Sequence, residues 1–325
     1  MRGTKILSSA HYVPENVVTN NDLAAIMETS DEWIQTHTGI KTRHISLQGE
    51  NTSDLATKAA RIALDDANLQ ATDIDLIIVT TFTPDGLAPS TAALVQRNLQ
   101  ADNAWAYDIS TACAGFVFGI STADKFLKVP QYQNALVIAA EVNSKMMDFK
   151  DRTSTVFFGD GAAAVVLTAT NDMSENMILA EKMQTVGDAE VVHSGRIAPL
   201  TTLSAENYPK LDAFKQQGRA VFEEVVTIIP EHIKTFLSEQ DLSVADVDYF
   251  ILHQANLRII EAISDALAVP INKFTTNVVR VGNTSSAGIG IGLDELRRTT
   301  ALSDKKVLLT GFGAGFTYGS VLLNF

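Results

Sequence analysis

The chain has 325 residues, 46% of them hydrophobic and 19% charged, with a formal net charge of −13 at pH 7. Binding to nucleic acid is not expected, because such an acidic composition does not supply the basic surface that phosphates require. No apolar run reaches the about 18 residues that span a bilayer, and the first residues lack the apolar core of a signal peptide, so we expect a cytoplasmic protein without a membrane segment.

Strand-like and helix-like segments alternate along most of the chain, which is typical of an α/β fold, and this length favours two packed units. In the first half the predicted segments are, in chain order, a strand DIDLIIVTT (73–81), a helix STAALVQRNL, a strand AWAYDIS, a helix beginning near Cys113, a strand NALVIAAE and a hairpin TSTVFFGDGAAAVVLTAT that turns at residues 159–161.

The second half begins with a predicted strand MILAEKMQTV and then repeats the scheme of the first. VDYFILHQANLRIIEAISDAL reads as strand, loop and helix, and KKVLLTGFGAGFTYGSVLLNF as a strand followed by a hairpin. We therefore predict two similar α/β halves, residues 1–170 and 171–325, which meet near Thr170.

Cys113 is the only cysteine, and it lies in YDISTACAGF, where an apolar run gives way to small residues and then to a helical pattern. A helix N-terminus favours a thiolate, so this position suits a nucleophile. His253 in FILHQANLRII and Asn283 in VVRVGNTSSAGIG also follow apolar runs directly, where strands are expected to end. One cysteine and six scattered histidines exclude a disulfide framework and predict no metal site.

Two other classes of protein share parts of this pattern. Papain-like proteases have cysteine, histidine and asparagine in the same order, but with C-G-[SA]-C-[WY] near the N-terminus and generally with disulfides, whereas TACAGF lies deep in a chain with no second cysteine. A dinucleotide-binding loop needs G-x-G-x-x-G, and Leu293 and Phe316 replace the last glycine in AGIGIGL and GFGAGF. Close backbone approach is the better use of these glycines.

Six segments resemble the β-ketoacyl-(acyl-carrier-protein) synthase III family, in the family's order from residue 30 to the C-terminus: SDEWIQTHTGI, TACAGF, DRTSTVFFGDGAAAVVL, HQANLRI, GNTSSAG and GFGAGFTYGS. The resemblance implies a thiolase-like fold of duplicated halves packed as αβαβα layers. It also implies a homodimeric acyltransferase without a cofactor, which condenses an acyl-CoA primer with malonyl-acyl carrier protein (ACP), releases CoA and CO₂, and so initiates type II fatty-acid synthesis.

The resemblance further implies roles for individual residues. Cys113 would carry the acyl group as a thioester, while His253 and Asn283 would donate to the enolate oxygen as neutral groups. The backbone N–H groups of Cys113 and Ala314 would hold the other oxyanion; the family commonly has glycine at the second position. Residues expected to bind CoA are Trp33, His37, Arg152, Gly218, Phe222 and Asn256. His37 replaces the family's usual arginine, which is expected to alter CoA affinity or its salt dependence.

An acidic carrier protein needs a local positive patch on this acidic chain. Arg258, one turn beyond HQAN, is the first candidate, and the other basic candidates for anionic partners are Arg152, Lys210, Lys215 and Arg219. In TPDGLAPS, Leu87 and Ala88 occupy a loop that in the family reaches the partner subunit's acyl pocket, where many relatives have phenylalanine before the proline. With alanine there, we expect a roomier primer pocket.

Two alternative functions remain open. One is a secondary-metabolite condensing enzyme of the same fold. The other is a non-catalytic carrier-binding subunit, against which the presence of Cys113, His253 and Asn283 argues.

Overall fold

The computed structural model describes residues 2–47, 49–188, 190–195 and 211–325. Its strands are β1 (Gly3–Tyr12), β2 (Val17–Thr19), β3 (Thr42–His44), β4 (Leu76–Thr80), β5 (Trp105–Ile109), β6 (Asn134–Glu141), β7 (Gly161–Thr170), β8 (Ile178–Asp188), β9 (Val192–His193), β10 (Lys215–Gln216), β11 (Tyr249–Leu252), β12 (Lys306–Gly313) and β13 (Gly315–Asn324). Its helices are α1 (Asn20–Ala24), α2 (Asp31–Thr38), α3 (Thr52–Ala67), α4 (Thr91–Leu99), α5 (Gly115–Leu127), α6 (Gly218–Ser238), α7 (Leu257–Leu267), α8 (Val278–Val281) and α9 (Ala287–Thr299). None of these helices is long and apolar enough to cross a bilayer.

The two main sheets have related topologies. The first has the strand order β1-β7-β6-β4-β5, in which β4 runs parallel to β5 and β6, and β7 runs antiparallel to β6 and β1. The second has the order β11-β12-β13-β8, with β11 parallel to β12 and the remaining pairs antiparallel. Over the described residues, the second sheet therefore repeats the pattern of β4, β6, β7 and β1.

Five layers result from the way the helices cover these sheets. The central helices α5 and α9 contact each other and strands of both sheets, whereas α3 and α4 cover the outer face of the first sheet. Residues of α6 and α7 join strands of the second sheet in a separate outer cluster. This αβαβα arrangement confirms the predicted fold class.

The central layer is packed too tightly for larger side chains on one face of α9. A Cβ added at Gly290 would lie 2.6 Å from the Cβ of Ala163 on β7 and 3.0 Å from the ring of Phe116 on α5. Distances below about 3 Å are not tolerated between such atoms, so glycine lets α9 approach β7 and α5 this closely. Close approach between backbones is the role expected from the sequence for the glycines of AGIGIGL.

The prediction of a hairpin at residues 153–170 is wrong for the first of its two strands. Thr155–Phe157 forms a 3₁₀ turn, and only Gly161–Thr170 is a strand, which pairs with β6 and β1. The apolar run TVFF belongs to no strand because its main chain meets the segment at Asn283 instead, through an isolated bridge at Phe158. The predicted hairpin at the C-terminus, in contrast, is present as β12 and β13.

His232 on α6 is a buried histidine outside any candidate site. Its ring packs edge-on against Tyr318, and its Nε2 lies 3.1 Å from the Ser320 hydroxyl. Burial lowers the pKa of His232 to about 4, and nearby Lys182 acts in the same direction. The folded chain thus keeps this ring neutral at pH values where the unfolded chain protonates it.

We expect His232→Gln to reduce the acid sensitivity of folding. Between pH about 6.5 and about 4 the unfolded chain binds a proton at His232 that the folded chain does not, so the free energy of unfolding falls as pH falls through this window. Urea unfolding at pH 7 and at pH 4.5 measures how much the free energy of unfolding falls between these two pH values. This fall should be smaller in the variant than in the wild-type chain by roughly 2 kcal/mol. An equal decrease in both proteins would contradict this account.

Candidate active site

The three residues of the predicted catalytic set line one cavity of about 540 Å³. Cys113 lies in the 3₁₀ turn Ala112–Ala114, which leads directly into α5. His253 follows β11, and Asn283 lies between α8 and α9. The ends of these elements converge because α5 and α9 pack against each other between the two sheets, so residues far apart in sequence face one space.

The backbone around Cys113 is constrained on both sides. Ala112 has φ of 45°, in the left-handed region that residues other than glycine rarely adopt, and such conformations are common at functional sites. A Cβ added at Gly313 would lie 2.7 Å from the Cys113 backbone nitrogen, so only glycine lets the end of β12 approach the nucleophile this closely. Ala314 also lines the cavity, and its φ is not left-handed, so alanine is accommodated there without strain.

The Cys113 thiol is not activated by its helix position alone. Burial raises its pKa to about 12, whereas the Ser285 hydroxyl, which donates to Sγ at 3.3 Å, lowers it, and the nearby Glu141 carboxyl raises it. Removal of the sulfur from water thus opposes the thiolate that the N-terminus of α5 is expected to favour. The free thiol is therefore neutral at pH 7.

His253 is a buried, neutral imidazole. Its backbone nitrogen donates to Thr310 on β12 at 2.8 Å, and its ring meets Phe312 edge-on at 5.1 Å between centroids. Burial lowers the pKa of His253 to about 3, and the Ser285 main chain acts in the opposite direction. Nδ1 makes no hydrogen bond with the part of the chain that the structure describes. The ring can therefore act as an uncharged donor.

Asn283 is held so that one end of its side chain remains free for the cavity. Its backbone donates to Phe157 at 2.8 Å and accepts from Gly159 at 3.1 Å. Its carboxamide oxygen accepts the Ser285 N–H at 2.8 Å. Since the oxygen is occupied, the amide nitrogen is the end available as a donor.

Ser285 is a site residue that sequence reasoning missed. It donates to both Cys113 and Asn283, its main chain influences His253, and its φ of 53° is left-handed. The polar run in GNTSSAG directly before a helix is the sequence signal that could have indicated it.

Glu141, at the end of β6, is a second missed residue. This fully buried carboxylate accepts the hydroxyls of Thr81 at 3.0 Å and Thr83 at 2.6 Å, and the backbone N–H groups of Phe82 and Thr83 at 3.3 and 3.1 Å. Burial raises its pKa to about 7, against the effect of these donors. A lone glutamate closing the apolar run NALVIAAE was the available signal.

The residues predicted to bind CoA lie outside this cavity lining. Three of them cluster: the His37 ring stacks on Trp33 with 4.4 Å between centroids, and the Arg152 guanidinium lies 5.4 Å from the Trp33 ring. Gly218 and Phe222 are exposed on the first turns of α6. The side chain of Asn256 caps α7 by accepting the Ile259 N–H at 3.0 Å.

Arg258 is engaged rather than free. Its guanidinium donates to the backbone oxygens of Thr36 and Gln35 at the end of α2, at 3.0 and 3.1 Å, and pairs with Glu261 at 2.8 Å. The side chain joins α7 to α2 while remaining 41% exposed. The backbone oxygens at the open end of α2 thus hold the Arg258 guanidinium in place.

The remaining predicted residues lie on the surface or outside the described ranges. Leu87 is 78% exposed, Ala88 is exposed, and neither lines the cavity of its own chain. Lys215 is exposed, and Arg219 pairs with Glu223 at 2.8 Å. Lys210 lies outside the described residues. Within the described ranges, no three His, Cys, Asp or Glu side chains are grouped as a metal ion requires.

The layered fold and the Cys-His-Asn cavity define a thiolase-like condensing enzyme, and comparison with known proteins agrees. Residues 107–187 match the sequence profile of 3-oxoacyl-[acyl-carrier-protein (ACP)] synthase III, and residues 237–325 match that of its C-terminal part. A β-ketoacyl-[acyl-carrier-protein] synthase III from Lactiplantibacillus plantarum is 55% identical over 320 residues, which cover 98% of each chain. The chain therefore belongs to the β-ketoacyl-[acyl-carrier-protein] synthase III family, and it is an acyltransferase of fatty-acid biosynthesis, as predicted.

Two solved structures are similar over nearly the whole chain. The 3-oxoacyl-[acyl-carrier-protein] synthase III from Aquifex aeolicus has a TM-score of 0.90 at 41% identity, covering 99% of this chain and 100% of that one. The priming β-ketosynthase of the R1128 polyketide biosynthetic pathway also has a TM-score of 0.90, at 30% identity, covering 100% of this chain and 96% of that one. The same fold thus occurs in a polyketide pathway.

Proposed function

We propose that the chain condenses an acyl-CoA primer with malonyl-ACP to give 3-oxoacyl-ACP, CoA and CO₂, as the first condensation of type II fatty-acid synthesis. The observation that carries the proposal is the convergence of Cys113, His253 and Asn283 on one cavity. The purified chain, given acyl-CoA and malonyl-ACP without any added cofactor, should form 3-oxoacyl-ACP detectable by mass spectrometry. Failure with every short straight or branched acyl-CoA would refute the proposal.

In the first step, Cys113 Sγ attacks the thioester carbonyl of the primer. A carbon–sulfur bond to Cys113 forms, the bond to CoA breaks, and the thiol proton leaves with the CoA sulfur. Because the pKa of the free thiol is about 12, proton loss has to accompany the attack, and the Ser285 hydroxyl stabilises the charge that develops on sulfur. The backbone N–H groups of Cys113 and Ala314 are the proposed donors to the carbonyl oxygen.

In the second step, the malonyl carbon–carbon bond breaks, CO₂ leaves, and the electron pair becomes an enolate. His253 and the amide nitrogen of Asn283 donate to its oxygen. The enolate carbon then attacks the acyl-cysteine carbonyl, and the Cys113 sulfur leaves. The lowered pKa of His253, about 3, supports a neutral donor here rather than an imidazolium ion.

Trp33, His37, Arg152, Gly218, Phe222 and Asn256 are the proposed contacts of CoA. The clustering of Trp33, His37 and Arg152 supports this assignment, since an aromatic face beside a guanidinium suits an adenine and its phosphates. His37 already stacks on Trp33, so an adenine would have to displace His37 or use the other face of the indole.

A homodimer formed along β5 is the proposed assembly. This strand lies at the edge of the first sheet, and its first residue, Trp105, is 41% exposed. The neighbouring loop exposes Leu87, and unpaired edge strands beside apolar side chains favour pairing with a second copy. Sedimentation of the purified chain tests this, and a monomer at micromolar concentration would contradict it.

Docking of the acidic carrier protein is proposed to depend on Arg258. Arg258→Glu should raise KM for malonyl-ACP by roughly tenfold and KM for acyl-CoA much less, and added salt should have the same selective effect. Arg61→Glu, which makes the same charge change on the outer helix α3, is the matched control. Equal effects of Arg258→Glu on both substrates would indicate that its contacts with α2 are its whole role.

The alternative function is condensation in a secondary-metabolite pathway, which similarity to the R1128 enzyme keeps open. Assays with carrier proteins from the two kinds of pathway distinguish them, since the favoured carrier indicates the pathway.

The cytoplasm remains the proposed location, because a single cysteine gives no sign of an oxidising compartment. The division into halves near Thr170 likewise remains a proposal.

A further inference from the structure

Three aromatic rings form one wall of the cavity that Cys113 lines. Phe214 contacts Phe158 edge-on, with 4.8 Å between centroids, and it contacts Phe82 with 6.4 Å between centroids. All three rings line the same cavity as the thiol. An acyl chain carried by Cys113 would pack its methylenes against such a wall.

The backbone of Phe82 is held by a buried carboxylate. Its N–H lies 3.3 Å from each carboxylate oxygen of Glu141. The hydroxyls of the residues on either side, Thr81 and Thr83, donate to the same carboxylate. Among the described residues no basic side chain forms an ion pair with Glu141, so its oxygens serve these donors and the more distant Ser286 hydroxyl at 3.4 Å. The main chain that carries the Phe82 ring cannot move away from the cavity without breaking buried hydrogen bonds.

The loop that begins at Phe82 does not close the cavity of its own chain at its tip. Leu87 and Ala88 are exposed and lie outside the cavity lining, whereas Phe82, a few residues earlier, lies within it. Within its own chain this loop therefore reaches the cavity through Phe82, while its exposed tip is the part expected to meet a partner subunit.

We propose that Phe82, positioned by Glu141, determines the length of the acyl primer, so that the chain prefers acetyl-sized primers even though residue 88 is alanine. This inference rests on the proposed function. It differs from the expectation of a roomier pocket, because Phe82 contributes a ring to the cavity of its own chain whichever residue stands at position 88. Glu141 acts through the Phe82 backbone and does not contact the primer.

The test is competition between acetyl-CoA and butyryl-CoA, read as the mass of the acyl group on Cys113. The wild-type chain should take acetyl preferentially. Each buried methylene is worth roughly fourfold in preference, so Phe82→Ala should raise the butyryl-to-acetyl ratio by roughly tenfold. Phe82→Leu, which keeps an apolar side chain and is less disruptive to folding, should shift the ratio in the same direction by a smaller factor.

Three further variants complete the test. Phe325→Ala, which removes a partly buried ring outside the cavity, should leave the ratio unchanged. Ala88→Phe should also leave it nearly unchanged, since Phe82 already closes the space. Glu141→Gln, which keeps the shape of the side chain but weakens the acceptors that hold Phe82, should shift the ratio towards butyryl.

The outcomes separate this inference from the proposed function. A wild-type chain that accepts butyryl as readily as acetyl, with acetyl preference restored by Ala88→Phe, would overturn the role of Phe82. An unchanged ratio in both Phe82 variants would overturn it as well. If no acyl-CoA acylates Cys113 at all, the proposed function itself fails.

Discussion

Cys113→Ala is expected to abolish acylation completely while decarboxylation of malonyl-ACP continues. No other thiol exists in the chain, so no other side chain can carry the primer as a thioester. The substitution keeps the backbone N–H of residue 113 and leaves in place His253 and Asn283, which follow β11 and α8. The acyl-accepting and enolate-stabilising functions should therefore separate in this variant.

The measurement uses radiolabelled acyl-CoA followed by denaturation of the protein, together with release of labelled CO₂ from malonyl-ACP. Wild type should retain the primer label, and the alanine variant should retain none while still releasing CO₂. Primer label covalently attached to the alanine variant would show that Cys113 is not the acyl carrier.

His253→Ala is expected to slow decarboxylation by about 10²–10³-fold while acylation of Cys113 proceeds at close to the wild-type rate. Loss of a single oxyanion donor typically has this magnitude. The neutral imidazole, with a pKa of about 3, takes no part as a cation, so its removal does not change the charge near the thiol above about pH 4. Asn283 remains as the second donor and accounts for the residual rate.

His232→Gln is the matched control for this experiment, since it alters the other buried histidine without touching the cavity. Single-turnover acylation and CO₂ release should both match wild type in the control. A His253→Ala variant whose acylation falls as far as its condensation would argue against separate roles for the two halves.

The fold class was predictable because apolar runs alternate with helical patterns, and NALVIAAE and the C-terminal hairpin lie where these runs indicate. The first arm of the hairpin at 153–170 was not, because TVFF has the composition of a strand but pairs through only one bridge with a segment remote in sequence. The local pattern of apolar residues does not show which remote segments compete for the same backbone hydrogen bonds.

That Cys113, His253 and Asn283 share one site was predictable from motifs, but the residues around them were not. Ser285 acts through its backbone and a left-handed turn, and Glu141 acts through backbone N–H groups of a neighbouring strand end. Neither contact leaves a characteristic spacing. The raised pKa of Cys113 was also beyond the sequence, because it depends on how far the folded chain removes the sulfur from water.

The close approach at Gly290 limits how this enzyme can change during evolution or design. Because α9 leaves no space for a methyl group at this position, any larger residue would push α9 away from β7 and α5. Cys113 lies directly before α5 and Asn283 directly before α9, so such a displacement would move the nucleophile relative to a proposed enolate donor. New substrate preferences therefore have to arise by changing side chains on the cavity wall or in the loops around it, while the central layer stays constant.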